Sequence, residues 1–458
     1  MSASNSPLPS CAERSHPSAT TAAHPTNPAN LTQPTNLPNI TFLALFILAS
    51  VPLSLDLVQT VAFAGVILFV GYGLRRLIPP LARYNIPAPV CGGLPVAGIL
   101  AVLYFSGIQP LKFDTALQVP LQNTFFASVG FGASIALLRR GGPLVFLFFI
   151  ISTIVAALQN VIGGFVAMGL GQHPLMGVLA GSVTLTGGPA TGLAFAPLFQ
   201  EAGVTGAATL AVAAAMVGIV AGGVLGGPIG TYLVERHARA ITPVAPTDPT
   251  LQQVAERSVH EPPVEHPPGE DVESYVLLKH LVVIITTVGL GVWVSAWLTR
   301  AGFTLPAYIG AMLVAAVFRN IDDGTAAFAL SQQIIDDLGN VALSLFLVMA
   351  LMTLRLWELA GLVIPLLIIL AVQVALISAV CVLAIPRLMG RDYDSAVMSG
   401  GFCGFMLGTT ANAMANMGAL VERYGPAPKA YLVVPLVGAF FIDFTNALLI
   451  TFFLNLWR

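Results

Sequence analysis

Two stretches of the sequence carry hydroxyl, amide and glycine residues within otherwise apolar chain. Paired glycines and Pro189 break a helix and free backbone N–H and C=O groups, which lipid cannot satisfy. The N-terminal ends of broken helices favour anions, and their carbonyl ends favour cations. The substrate-binding residues predicted on this basis are Thr184, Thr186, Gly187, Gly188 and Thr191 in the first stretch and Gly404, Thr409, Thr410 and Asn412 in the second.

An ionisable residue stands in the middle of the last apolar stretch. Asp443 lies three residues before Asn446, so a helix places both on one face. A carboxyl group inside a bilayer is costly and is functional by default, as a cation ligand, a partner for a substrate ammonium or a proton carrier. Amide oxygens also suit hard cations. The predicted cation-binding residues are Asn416, Asp443, Asn446, Asn340 and Asn160. Of these, Asn340 and Asn160 are weaker candidates, as are Gln159 and Gln373.

Structural roles compete with these functional ones. Small residues allow close helix packing, and GGVLGGP at residues 222–228 fits that purpose. Buried Thr and Asn side chains also form hydrogen bonds between helices, and a neutral buried Asp443 can do the same. Composition alone does not separate the two sets of roles.

The elements that position these residues belong to a membrane protein. The chain has 458 residues, of which 56% are hydrophobic and only 9% charged, and its mean hydropathy is +0.85. The charged share of soluble domains is near a quarter, so an ordinary soluble enzyme is excluded. A net charge of −2 offers no surface for nucleic acid. No His, Cys and Asp combination has metal-ligand or catalytic-triad spacing, so the sequence predicts a protein that is not an enzyme and binds no resident metal.

The apolar segments form two similar halves. A first repeat over residues 51–239 is followed by a polar linker over 240–274 and a second repeat over 275–458. Each half has five full spans and one irregular Gly-rich segment, which we interpret as a re-entrant hairpin. An odd number of spans inserts the halves in opposite orientations, as in secondary transporters. The predicted full spans are 57–77, 90–105, 121–138, 144–170, 207–234, 276–298, 304–318, 338–354, 359–383 and 430–456, with the hairpins at 175–199 and 396–420.

The basic residues set the orientation of this arrangement, because cytoplasmic loops collect Lys and Arg. With ten full spans, fourteen of the 19 basic residues fall on one side of the membrane and five on the other. The bias predicts a cytoplasmic linker and both termini outside. The composition of residues 1–50 has two interpretations: a disordered leader, or an extension that results from a start codon assigned too early. The second is favoured, with translation starting near Val51.

The chain resembles the bacterial sodium/glutamate symporters. The resemblance covers about residues 54–456 and is most specific in HPLMGVLAGSVTLTGG at 173–188, LGNVALSLFLVMALMTLRLWELA at 338–360 and MGRDYDSAVMSGGFCGFMLGTTANAMANM at 389–417. It implies an all-α polytopic protein of two inverted five-helix repeats in the bacterial inner membrane, working as a homodimer among membrane lipids. It also implies that Na+ is the coupling ion, that no cofactor is needed, and that L-glutamate enters between the hairpin tips by an elevator-type motion.

Two positions depart from the pattern of that family. Pro189 and Phe402 stand where the family has histidine, and a glycine is also lost from each motif. Proline and phenylalanine cannot donate the hydrogen bonds by which a histidine orients a carboxylate. An alternative substrate therefore stays open, namely another small organic anion or amino acid carried with sodium or protons. A passive channel and a membrane enzyme are the alternatives from other functional classes.

Overall fold

The computed structural model describes residues 54–107, 111–237, 272–300, 306–325, 328–359 and 361–458. The expected leader at 1–50 lies outside the described residues, and so does the expected linker up to residue 271. The regular secondary structure of the described residues is helical, apart from a pair of two-residue strands that run in parallel, β1 (Ser54–Leu55) and β2 (Lys112–Phe113).

The helices are numbered in chain order. The first half contains α1 (Leu57–Leu77), α2 (Pro79–Arg83), α3 (Ala88–Phe105), α4 (Gln118–Gly132), α5 (Ile135–Arg140), α6 (Gly142–Gly169), α7 (Pro174–Val178), a π-helical turn (Leu179–Val183), α8 (Gly188–Glu201) and α9 (Ala207–His237). The second half contains α10 (Val272–Arg300), α11 (Ala307–Thr325), α12 (Gln332–Met352), a 3-10 turn (Leu356–Leu359), α13 (Val363–Leu383), α14 (Ile385–Leu388), α15 (Tyr393–Leu407), α16 (Thr410–Tyr424), α17 (Pro428–Leu436), a second π-helical turn (Val437–Phe441) and α18 (Ile442–Trp457).

Polar residues just before the apolar stretches fix where several helices begin. Asp56 and Gln59 form a reciprocal capping box at the start of α1, with the Gln59 amide nitrogen 2.8 Å from the Asp56 carboxylate. At the start of α15, the Asp392 side chain is a simple N-cap that accepts from the Ser395 amide at 2.9 Å. These caps satisfy N–H groups that have no partner inside the helix.

The chain is an all-α polytopic membrane protein. Seven of the described helices are long and apolar enough to cross a bilayer: Leu57–Leu77, Ala88–Phe105, Gly142–Gly169, Ala207–Arg236, Ser274–Arg300, Gln332–Met352 and Val363–Leu388. The other three predicted spans differ for local reasons. The predicted span 121–138 is interrupted after Gly132. The predicted span 304–318 corresponds to α11, which carries the charged residues Arg319, Asp322 and Asp323 near its end. The predicted span 430–456 is divided by the π-helical turn Val437–Phe441.

Six helices, three from each half, form a group that we call bundle A: α1, α3, α4, α10, α11 and α12. Within it α1 packs on α3, α3 on α12, and α4 on both α11 and α12, while α10 packs on α11. If α1 is exchanged with α10, α3 with α11 and α4 with α12, these five pairs are the same as before. Glycines bring the backbones together in both halves, since a Cβ atom at Gly92 would lie 2.2 Å from the Ile67 oxygen and one at Gly310 would lie 2.1 Å from the Gly291 oxygen.

The remaining long helices, α6, α9 and α13, form bundle B together with α7, α8 and α15 to α18. Its core is rich in fully buried aromatic side chains, including Phe148, Phe195 and Phe402. Both stretches singled out in the sequence lie in this bundle. The candidate site is therefore built by one helical group, and bundle A packs beside it.

Candidate functional site

The first broken segment, residues 174–201, consists of α7, the π-helical turn and α8. Regular helix ends at Gly181, whose φ and ψ are −101° and −129°. The Thr184 hydroxyl donates to the Leu179 carbonyl at 2.7 Å and so satisfies one of the freed groups. The chain turns at Gly188, where φ is +68°, into α8. Both ends of the segment meet, because a Cβ atom at Gly203 would lie 3.9 Å from Cδ2 of His173.

The second broken segment, residues 393–424, consists of α15 and α16. The helix ends at Leu407, and Gly408 then adopts φ and ψ of −150° and −100°. The two helices lie in close contact, since a Cβ atom at Gly404 would be 2.5 Å from the Ala413 nitrogen. The ends of this segment also meet, because the Tyr393 hydroxyl donates to the Gly425 carbonyl at 2.6 Å.

The tips of the two segments lie against each other. A Cβ atom at Gly188 would lie 3.8 Å from the Gly408 oxygen and 4.0 Å from Cγ2 of Thr409. Each tip thus presents the N-terminal end of one helix and the C-terminal end of another. The N-terminus of α16 is capped by the Thr409 side chain, whereas no side chain of the described residues caps the N-terminus of α8 at Gly187.

A cluster of buried polar groups lies behind the first tip. The Ser182 amide donates to Oδ1 of Asn160 at 3.1 Å, and Nδ2 of Asn446 donates to the Ser182 carbonyl at 2.9 Å. The Ser182 hydroxyl, Oδ1 of Asn446 and Nδ2 of Asn160 have no hydrogen-bond partner among the described residues. Asp443 lies one turn before Asn446 in α18, is half-buried, and forms no ion pair among the described residues. These oxygens are of the kind that hard cations prefer.

Polar groups of the second segment are mostly engaged with neighbouring backbone. Nδ2 of Asn412 donates to the Ile219 carbonyl at 2.7 Å, and Nδ2 of Asn416 donates to the Gly222 carbonyl at 3.0 Å, both on α9. The Thr410 hydroxyl donates to the Gly438 carbonyl at 2.7 Å. This segment is thereby fixed to α9 and to the π-helical turn before α18, while Oδ1 of Asn412 has no hydrogen-bond partner among the described residues.

Comparison with known proteins identifies the family. The family model described as sodium/glutamate symporter matches residues 53–426. The chain is 42% identical over 403 residues to the sodium/glutamate symporter of Escherichia coli (strain K12), covering 88% of this chain and 98% of that protein. It is 39% identical over 393 residues to the sodium/glutamate symporter of Haemophilus influenzae (strain ATCC 51907 / DSM 11121 / KW20 / Rd), covering 86% and 95%.

This chain belongs to the sodium/glutamate symporter family. The resemblance noted in the sequence is therefore confirmed. The relatives are named as symporters, which denotes transport rather than catalysis, and the apolar helices agree with a transmembrane protein of that kind.

Most of the predicted site residues of this symporter-family chain come together in bundle B. The first segment contributes Thr184, Thr186, Gly187, Gly188 and Thr191; the second contributes Gly404, Thr409, Thr410, Asn412 and Asn416; and Asn160, Asp443 and Asn446 come from α6 and α18. Asn340 does not join them, because it is exposed on α12 in bundle A. The expectation that Gly222–Pro228 serves packing is confirmed at Gly226, where a Cβ atom would lie 2.0 Å from Nδ2 of Asn416.

Other groups have a larger part than the sequence suggested. The Ser182 hydroxyl joins the buried polar cluster, and the Ile219 and Gly222 carbonyls hold the second segment. Gln159 of α6 contacts both tips. A glutamine in the middle of an apolar span was the available signal for Gln159, whereas a backbone carbonyl gives none because every residue has one.

The two positions that depart from the family pattern have different surroundings. The Phe402 ring is fully buried, with its centroid 5.5 Å from that of Phe148 and 5.2 Å from that of Phe405. Pro189, in contrast, is the second residue of α8 at the first tip, where its ring removes one backbone N–H donor. Of the two departures, Pro189 is the one at the tip.

Proposed function

We propose that this chain is a secondary active transporter that takes up L-glutamate with sodium across the bacterial inner membrane. The observation that carries the proposal is the meeting of the two tips beside buried oxygen atoms that lack partners within the part of the chain that the structure describes. Membership of a family whose curated relatives are named sodium/glutamate symporters supplies the substrate and the coupling ion. No cofactor is required, because the sodium gradient drives accumulation.

The substrate is proposed to lie between the tips. An anionic carboxylate is favoured at the N-terminus of α8, since no side chain of the described residues caps its N–H groups. The hydroxyl and backbone groups of the second tip, around Thr409, would face the remainder of the substrate. The proposed binding set is the one predicted from the sequence: Thr184, Thr186, Gly187, Gly188, Thr191, Gly404, Thr409, Thr410 and Asn412.

Sodium is proposed to bind behind the first tip. The Ser182 hydroxyl and Oδ1 of Asn446 are buried oxygens without partners among the described residues, and the Asp443 carboxylate shares the helix face of Asn446. A cation there would satisfy both oxygens and offset the carboxylate charge. Bound sodium would then raise the affinity for glutamate by reciprocal linkage.

The proposed architecture is two inverted repeats, each with a re-entrant hairpin. It is supported by the matching helix pairs of the two halves of bundle A. It is also supported by the two broken segments: the two ends of each segment lie close together, and the tips of the two segments are in contact. On this basis both termini lie outside and the linker lies in the cytoplasm, as the basic residues predict. An elevator-type movement of bundle B against bundle A and a homodimer belong to the same proposal.

A different anion is the second candidate substrate, and Pro189 is the observation that favours it. Loss of one N–H donor at the first tip weakens the recognition of a carboxylate there. Another amino acid or small organic anion, carried with sodium or protons, would then fit the same tips.

Uptake of labelled glutamate into proteoliposomes tests the proposal. We expect accumulation with an inward sodium gradient and none when potassium replaces sodium. Absence of glutamate uptake by folded protein, together with sodium-driven uptake of another anion, would instead favour the second candidate. Uptake of glutamate that did not depend on sodium would contradict the coupling.

A further inference from the structure

Gln159 occupies a special place among the buried polar residues of bundle B. Its side chain is fully buried in the middle of α6. Its Oε1 accepts from the Thr186 hydroxyl at 2.8 Å, and its Nε2 donates to the Met406 carbonyl at 3.2 Å. Thr186 belongs to the first tip and Met406 to the end of α15 at the second tip. Among the described residues, Gln159 is the one side chain outside both segments that hydrogen-bonds to each of them.

The same turn of α6 also reaches the proposed ion site. Asn160, the next residue, accepts from the Ser182 amide at 3.1 Å. A Cβ atom at Gly181 would lie 3.1 Å from the Gln159 carbonyl oxygen, so the first segment rests on the backbone of α6 here. Two consecutive residues of one helix therefore contact the ion cluster and both tips.

We propose that Gln159 is the positioning residue that couples sodium at the first segment to closure of the second tip on substrate. This inference rests on the proposed sodium-coupled function. When the ion orders Ser182 and Asn160, it fixes the position of α6 relative to the first segment. In that position Gln159 can hydrogen-bond to both Thr186 and Met406. Because the bridge is buried, loss of either hydrogen bond leaves an unsatisfied polar group, so the bridged arrangement is favoured over intermediate ones.

The chain offers variants that separate the two arms of this bridge. Thr186→Val removes the arm to the first tip with little change in volume. Gln159→Glu keeps an acceptor for Thr186, but its ionised form cannot donate to Met406. Gln159→Leu removes both arms.

Gln373 supplies the matched control. It is also a fully buried glutamine in the middle of a long helix, α13, and its Nε2 donates to the Gln159 carbonyl at 2.7 Å. Its side chain has no hydrogen bond to either broken segment among the described residues. Gln373→Leu therefore removes a buried hydrogen bond between helices and leaves the bridge in place.

The test is equilibrium binding of labelled glutamate to purified full-length protein with and without saturating sodium. The ratio of the two affinities is the coupling factor, which lies between about 5 and 150 in typical linked systems. We expect Gln159→Leu, Gln159→Glu and Thr186→Val to bring the factor to within about twofold of one, and Gln373→Leu to keep the wild-type factor. A mere loss of stability would lower thermal stability in all four variants without this division.

The outcomes separate this inference from the proposed function. If wild-type protein bound no glutamate, or bound it equally without sodium, the proposed function would fail. If wild-type protein showed the coupling and the Gln159 and Thr186 variants retained it, only the role of Gln159 would be overturned. Should Gln159→Leu not fold, the near-isosteric Gln159→Glu and Thr186→Val decide the matter.

Discussion

The two broken segments have similar outlines but leave their polar groups in different states. Around the first segment, the Ser182 hydroxyl, Oδ1 of Asn446 and Nδ2 of Asn160 lack partners among the described residues. In the second segment, Asn412 and Asn416 donate to carbonyls of α9, and Oδ1 of Asn412 is the one buried side-chain atom of the segment that lacks a partner among the described residues. Unsatisfied buried oxygens are costly unless a ligand completes them. Two such oxygens, on Ser182 and Asn446, lie at the first segment with Asp443 on the same helix face, whereas the second segment has one. The first segment is therefore the better suited to hold an ion.

The bases of the two segments, where the ends of each segment meet, also differ in how they are held together. In the second segment, Tyr393 bonds to Gly425 across the base, and Nζ of Lys429 lies 3.0 Å from the Asp392 carboxylate. This neighbouring carboxylate raises the pKa of Lys429. The base of the first segment is a close approach of Gly203 to His173. The second segment thus carries more polar attachments at its base.

The largest expected effect comes from the charge beside the first segment. Asp443→Asn removes the carboxylate on the helix face of Asn446, so we expect sodium-driven glutamate uptake to fall about ten- to hundredfold, since interactions with a charged group contribute about 1.5–3 kcal/mol. Initial uptake rates in proteoliposomes measure this. Asp443→Glu, which keeps the charge, is the matched control and should retain more uptake. Equal loss in both variants would contradict a role for the charge.

A substitution at Gly226 perturbs the second segment alone. The Cβ atom of Gly226→Ala would lie 2.0 Å from Nδ2 of Asn416, so we expect a loss of about 1–3 kcal/mol in the free energy of unfolding. The half-saturating sodium concentration should change less than about twofold. Gly227→Ala is the control, because a Cβ atom there meets open space. A large loss of sodium affinity in Gly226→Ala would show that Asn416 is an ion ligand and would break the contrast between the segments.

Much of this arrangement is visible in the sequence, for identifiable reasons. Gly188 marks the first break and Gly408 the second, because a φ of +68° at Gly188 and φ and ψ of −150° and −100° at Gly408 are backbone angles that glycine adopts most readily. The choice of partners is not visible. The carbonyls of Ile219 and Gly222 became acceptors for Asn412 and Asn416 only through tertiary packing. The exposed position of Asn340 likewise depends on which face of α12 meets its neighbours.

A smaller effect is expected at the base of the second segment. Tyr393→Phe removes the hydroxyl that donates to the Gly425 carbonyl at 2.6 Å, so we expect the free energy of unfolding to fall by about 1 kcal/mol. Chemical unfolding in detergent measures the change, with sodium and glutamate affinities unaltered. Altered sodium affinity would show that the base of the second segment influences the ion site.

The smallest effect is expected from the ion pair at that base. Asp392→Asn keeps a side chain that can cap α15 but removes the charge opposite Lys429. Both side chains of the pair are about half exposed, so the loss should stay below about 1 kcal/mol and vanish at high salt. Unfolding at low and high ionic strength measures it, and a larger loss that persists in salt would point to a structural role beyond the charge.

Direct binding of sodium tests the contrast between the two segments. Equilibrium binding of radiolabelled sodium to purified wild-type, Asn446→Ala and Asn412→Ala protein compares an amide beside the first segment with one in the second. We predict that Asn446→Ala weakens sodium binding about tenfold or more and that Asn412→Ala stays within about twofold of wild type. Equal weakening in both variants, or weakening in Asn412→Ala alone, would contradict the placement of the ion at the first segment.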